Sequence, residues 1–129
     1  MSATLDSVLD HLGIQVRSLG ASTAFYDVVL AVLGSRRMLD FGEAVGYGST
    51  KPDFWLGKAT SDGPGREIHI AFTAPDRDTV RGFFALAVAA GAEVLHEPRL
   101  WPEYHESYYG AFVRDPDGNN VEAVCHAPE

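Results

Sequence analysis

The feature that most constrains this chain is that it is written twice. Residues 10–34 read DHLGIQVRSLGASTAFYDVVLAVLG, and residues 68–91 read IHIAFTAPDRDTVRGFFALAVAAG. In each copy a histidine (His11, His69) opens a short strand-like run, and an aromatic pair follows fourteen residues later, Phe25-Tyr26 or Phe83-Phe84. A glycine, Gly34 or Gly91, then stands where a helix should end. Three landmarks in register imply a duplicated supersecondary unit, whose copies bury a shared surface.

The opening runs alternate. Leu12, Ile14 and Val16 fall on one side, with His11, Gly13 and Gln15 on the other; Ile68, Ile70 and Phe72 oppose His69, Ala71 and Thr73. Period two predicts strands with one apolar face. The segments that follow place Phe25, Val28, Val29 and Val32, then Val80, Phe83, Phe84 and Ala87, at helical spacing, so each helix is expected to cover its strand's apolar face. Further strands are predicted over residues 37–41, 44–48 and 53–57, then 93–97, 108–114 and 119–124. Asp115, Pro116, Asp117 and Gly118 form strong turn chemistry that joins the last two as a hairpin. The expectation is an α+β chain, one domain over residues 1–129. It comprises two βαβββ modules, about 8–60 and about 65–127.

Composition narrows the partners. The formal charge is −8, and the only lysines are Lys51 and Lys58, so no basic stripe is present for nucleic acid or an anionic membrane. A small molecule is the expected partner. Cys125 is the lone cysteine, which excludes an intrachain disulfide and thiolate zinc clusters; alternation places it under a helix as a small core residue. The apolar run over residues 83–92 is too short to span a bilayer, and the opening MSATLDSVLD has no secretory pattern, so a cytoplasmic location is expected.

In the last predicted strand Glu122 shares a face with Val124 and opposes Val121, Ala123 and Cys125. That face is the one expected for His11 and His69. Either histidine alone would ordinarily be a surface or hydrogen-bonded residue. At equivalent repeat positions, with a glutamate on the same face, they form a two-imidazole, one-carboxylate set. Such a set suits one divalent ion (Fe, Mn, Ni, Co or Zn) and leaves positions open for substrate. The connection over residues 98–107 is long and carries Trp101, Tyr104 and His105. Loops of that length are often functional.

At these residues the chain resembles the vicinal oxygen chelate superfamily, which groups glyoxalases, bleomycin-resistance proteins and type I extradiol dioxygenases. DHLGIQV followed by SLGASTAFY is similar to the family's histidine-bearing first strand and helix start. IHIAF is similar to the opening of its second module, and FVRDPDGNNVEAV to its DPDG turn and ligand glutamate. The resemblance spans nearly the whole chain. It implies a curved mixed sheet around a metal or ligand cleft with helices outside, a homodimer, and His11, His69 and Glu122 as metal ligands.

The departures bear on chemistry. Where glyoxalase I-type members carry a second ligand glutamate, this chain has Trp55 within PDFWLGKA, which argues against a strict lactoylglutathione lyase. Extradiol enzymes place a tyrosine where Phe112 stands. Fosfomycin-type transferases surround an anionic substrate with basic groups, of which Arg114 is one of few here. The leading expectation is a metalloenzyme in which the ion acts as Lewis acid on an oxygen-chelating substrate, in isomerase or lyase chemistry. The alternatives are an Fe(II) ring-cleaving dioxygenase and a metal-free drug-binding protein. His105, Tyr104, Tyr108 and Tyr109 are the candidate proton carriers, with an aromatic lid as the alternative role for their loop. Trp55, Phe54, Tyr108 and Phe112 are the candidate pocket residues.

Overall fold

The computed structural model describes residues 9–60, 63 and 65–129. The first seven residues and most of the opening on which the leader expectation rests lie outside the described residues, as does residue 8, where the first module was expected to start. The elements run β1 (Leu12–Val16), α1 (Leu19–Ala31), β2 (Arg36–Asp40), β3 (Ala44–Gly48), β4 (Pro52–Lys58), β5 (His69–Thr73), α2 (Arg77–Ala89), β6 (Val94–Leu100), β7 (Tyr109–Arg114) and β8 (Asn120–Cys125). They form two four-stranded mixed sheets, ordered β1-β4-β3-β2 and β5-β8-β7-β6. In each sheet the first strand lies parallel to the last, and the remaining pairs are antiparallel. This is one βαβββ module made twice, the α+β architecture read from the repeat.

Local chemistry sets the helix limits. The Ser18 hydroxyl accepts from the Ala21 amide at 3.1 Å, and the Asp76 carboxylate accepts from the Thr79 amide at 2.7 Å, so both helices start on an N-cap. Both end just before a glycine at positive φ, Gly34 at 83° and Gly91 at 89°. Just beyond each helix, the Ser35 and Ala92 amides donate back to Leu30 and Ala87 at 3.0 Å, satisfying otherwise orphaned carbonyls.

The two helices and the inner sheet faces share one core, built from Ile14, Val16, Phe25, Tyr26, Val29, Leu30, Val80, Phe83, Ala87 and their neighbours. Val28, expected on the buried side of α1, is exposed. With Phe25 and Tyr26 both inside, the buried stripe continues to Val29 and Leu30 and rotates Val28 outward. Cys125 is buried in the same core, as alternation predicted.

The β7–β8 turn ties the modules together. The Tyr26 hydroxyl on α1 donates to Asp115 at 2.7 Å, and the Arg17 amide donates to Asp117 at 3.1 Å. Asp115 also accepts from the amides of Asp117 and Asn119 (both 2.9 Å) and from the Asn119 side chain at 3.0 Å. The conspicuous DPDG turn is therefore both a hairpin connection and a joint. Among the described residues no helix is long and apolar enough to cross a membrane.

Candidate metal centre

Strand alternation turns Glu122 away from α2, on the central strand β8. Its register neighbours are Ala71 of β5 and Phe112 of β7. The carboxylate is buried, with 1% of its residue surface exposed. His69, at the start of β5, brings Nε2 to 2.8 Å from Glu122 Oε1. The Tyr108 hydroxyl donates to the other oxygen, Oε2. Burial, and then the adjacent Glu122, push the Tyr108 phenol above its ordinary pKa, so it stays a protonated donor. Gly110 faces the pair across β7; a Cβ there would lie 3.2 Å from Glu122 Oε2 and 3.3 Å from the Tyr108 ring.

A buried carboxylate with an imidazole nitrogen at this separation suits adjacent ligand positions on a divalent ion. Two bonds of about 2.0–2.2 Å at right angles span roughly 3 Å between their ligand atoms. His69 and Glu122 therefore fit the expected ion as a cis pair.

His11 does not join them. Among the described residues, no three His, Cys, Asp or Glu side chains converge to hold an ion. His11 lies one residue before β1, with Nδ1 at 2.8 Å from Asp10, which also accepts from Lys51 at 3.1 Å. The His11 hydrogen bond, followed by Lys51, holds the Asp10 carboxyl below its ordinary range. His11 borders an open cleft of about 800 Å³ shared with Asp53, Ile70 and Phe72. Within one chain, then, the three expected ligands do not come together in this geometry. β1 and β5 are edge strands of separate sheets, so sharing a face within each module does not place their histidines together.

Alternation also sorts the other candidates. Tyr109, one residue from Tyr108, faces α2, where its hydroxyl accepts from Arg81 at 3.1 Å and Arg77 lies over its ring. It is on the wrong side of the sheet to serve Glu122. Phe54 is part of the core, packed on Tyr26 and Phe72 at ring distances of 5.1 and 5.3 Å, and it also borders the cleft beside His11. Its neighbour Trp55 takes the opposite face and lies flat over Gly46, with Phe41 stacked on it at 6.1 Å. Phe112 is buried beside His69, with ring centroids 5.9 Å apart.

The aromatic loop reaches the site through Tyr108. Trp101 is buried, and its indole N–H donates to the Gly110 carbonyl at 3.1 Å. Tyr104 is exposed and stacks on Trp101 at 5.7 Å. His105 has both ring nitrogens engaged. The Ser107 amide donates to Nδ1 at 3.1 Å, which leaves the proton of the neutral ring on Nε2, facing His126 Nδ1 at 2.8 Å. Sequence reasoning did not single out His126. It follows β8 directly, so a continued strand parity was the one available signal, and its pairing with a distant loop had none.

The model of the Glyoxalase/Bleomycin resistance protein/Dioxygenase superfamily matches residues 8–123, and the chain belongs to that superfamily. No curated protein matches it. Among solved structures, a glyoxalase/bleomycin resistance protein from Albidiferax ferrireducens T118 is 26% identical with a TM-score of 0.82, over 92% of this chain and 99% of that one. A lactoylglutathione lyase from Agrobacterium tumefaciens is 23% identical with a TM-score of 0.69, over 95% and 96%. A glyoxalase/bleomycin resistance protein/dioxygenase family enzyme from Burkholderia phytofirmans PsJN is 20% identical with a TM-score of 0.73, over 94% and 100%. The last two likenesses concern the fold alone.

Proposed function

We propose that this protein is a metal-dependent enzyme acting on a small oxygen-chelating substrate, in isomerase or lyase chemistry, with His69 and Glu122 as two of its ligands. The observation that carries the reading is Glu122. A carboxylate buried to 1% exposure, on the sheet face opposite α2, has an imidazole nitrogen 2.8 Å away. Buried charge of this kind is retained where it is paired or coordinates a metal. A divalent ion held there supplies Lewis acidity to a substrate oxygen.

The chain's own residues supply the rest. Phe112, with Trp101 packed on it, forms an apolar wall on one side of His69. Tyr108 keeps a neutral donor at the carboxylate. His105 is a proton carrier only when the loop releases its Nε2 from His126 or its Nδ1 from Ser107. The third ligand is His11 of a second copy in a homodimer, since His11 of the same chain stands on a different sheet edge.

The test is elemental analysis of protein purified without added metal, repeated for His69→Ala, Glu122→Ala and His11→Ala. One ion per chain near neutral pH is expected, released on acidification because imidazoles coordinate only when neutral. Each variant should lose it. Mixing His11→Ala with His69→Ala subunits should restore about a quarter of the sites if they are shared across a two-fold, and none if they are not. Full metal content in all three variants would refute the reading. Turnover of catechols under air with iron but not zinc would move the assignment to the dioxygenase.

A further inference from the structure

We infer that Tyr108 is a positioning residue that restricts Glu122 to ligation through one oxygen, Oε1, and so keeps a coordination position free for substrate. The inference rests on the metal reading above. A carboxylate can hold a cation through one oxygen or both, and the choice changes how many positions remain open. Here the two oxygens have different partners: Oε1 faces His69, and Oε2 accepts from the Tyr108 hydroxyl.

The phenol is held in place on several sides. Its ring meets Tyr104 at 4.9 Å, His105 at 5.5 Å and His126 at 5.2 Å. On the strand beside it, Gly110 leaves the space that Oε2 and the ring occupy, where a Cβ would crowd both at 3.2 and 3.3 Å. A loop aromatic, two histidines and a glycine therefore converge on one hydrogen bond to the oxygen that does not face His69. Partners of metal ligands commonly fix ligand orientation in this way.

The experiment is a pair of crystal structures, wild type and Tyr108→Phe, each loaded with Co(II), with the visible spectrum recorded in solution as an independent report of coordination number. In the wild type, Glu122 should bind through Oε1 alone with the phenol still on Oε2. In Tyr108→Phe both oxygens should bind, one fewer position should be left to solvent, and the spectrum should move toward higher coordination. Two-oxygen binding in the wild type, or unchanged one-oxygen binding in the variant, overturns the inference while leaving the metal reading intact. If neither protein takes up cobalt, the metal reading fails and this inference with it. Should Tyr108→Phe not fold, the wild-type structure decides alone by whether the phenol remains on Oε2.

Discussion

Tyr26→Phe tests whether the turn at Asp115 joins the two modules. The substitution deletes one oxygen and leaves the ring in place, with Phe25 and Phe54 packed against it. Tyr26 is fully buried and Asp115 is 5% exposed, so water cannot replace the 2.7 Å hydrogen bond cheaply. Hydrogen bonds to charged groups contribute about 1.5–3 kcal/mol. Asp115 keeps its contacts from Asp117 and Asn119, which places the expected loss near 2 kcal/mol. For a domain of this size that lowers the melting midpoint by roughly 5–10 °C. Urea unfolding followed by circular dichroism, with calorimetry in parallel, gives both numbers. Tyr47→Phe is the internal control. Its hydroxyl also donates at 2.7 Å, but to Asp27, which is 42% exposed and already paired with Arg37. That variant should lose about 1 kcal/mol or less. If Tyr26→Phe costs no more than Tyr47→Phe, the joint is not where the modules are held.

Phe54→Ala should cost about 3–5 kcal/mol as a buried aromatic truncation, whereas the same change at the half-buried Trp55 should cost less; paired urea titrations separate them. Tyr109→Phe should leave metal content and stability nearly unchanged, within about 0.5 kcal/mol, and a loss of metal there would contradict its placement beside α2. The Asp76 carboxyl is held below its ordinary value of 3.8, first by the Thr79 hydroxyl and then by the Thr79 amide. Its contribution is therefore complete above that value and disappears as pH falls through the lowered folded-state pKa; Asp76→Asn should flatten this acid limb of the stability profile.

Much of the architecture was legible because it rests on short-range chemistry. Period-two runs located the strands to within a few residues, and the glycines after α1 and α2 marked both helix ends. The same periodicity, applied more strictly, would have corrected one site assignment. Adjacent strand residues take opposite faces, so Tyr109 stands on the opposite side from Phe112. What was not legible was the distance between His11 and His69. Alternation tells which face of its own strand a side chain takes, but the relation between two sheets depends on how α1, α2 and the Asp115 turn pack, which no local pattern encodes. The His105–His126 pairing was hidden for a similar reason, since it joins a loop to a residue 21 positions away.

The parallel pairing of β5 with β8 has a consequence for the order of events during synthesis. Among the described residues, β5 has β8 as its sole sheet neighbour, and His69 meets a carboxylate 53 residues further along the chain. Such a contact is late by topology, because the intervening helix and hairpin must be in place before its loop-closure entropy is recovered. A ribosome releases His69 well before Glu122, so the buried carboxylate takes its position only when the final hairpin docks. A chain shortened before Asn120 would keep the histidine and leave β5 unpaired along both edges, an invitation to pair with another molecule instead.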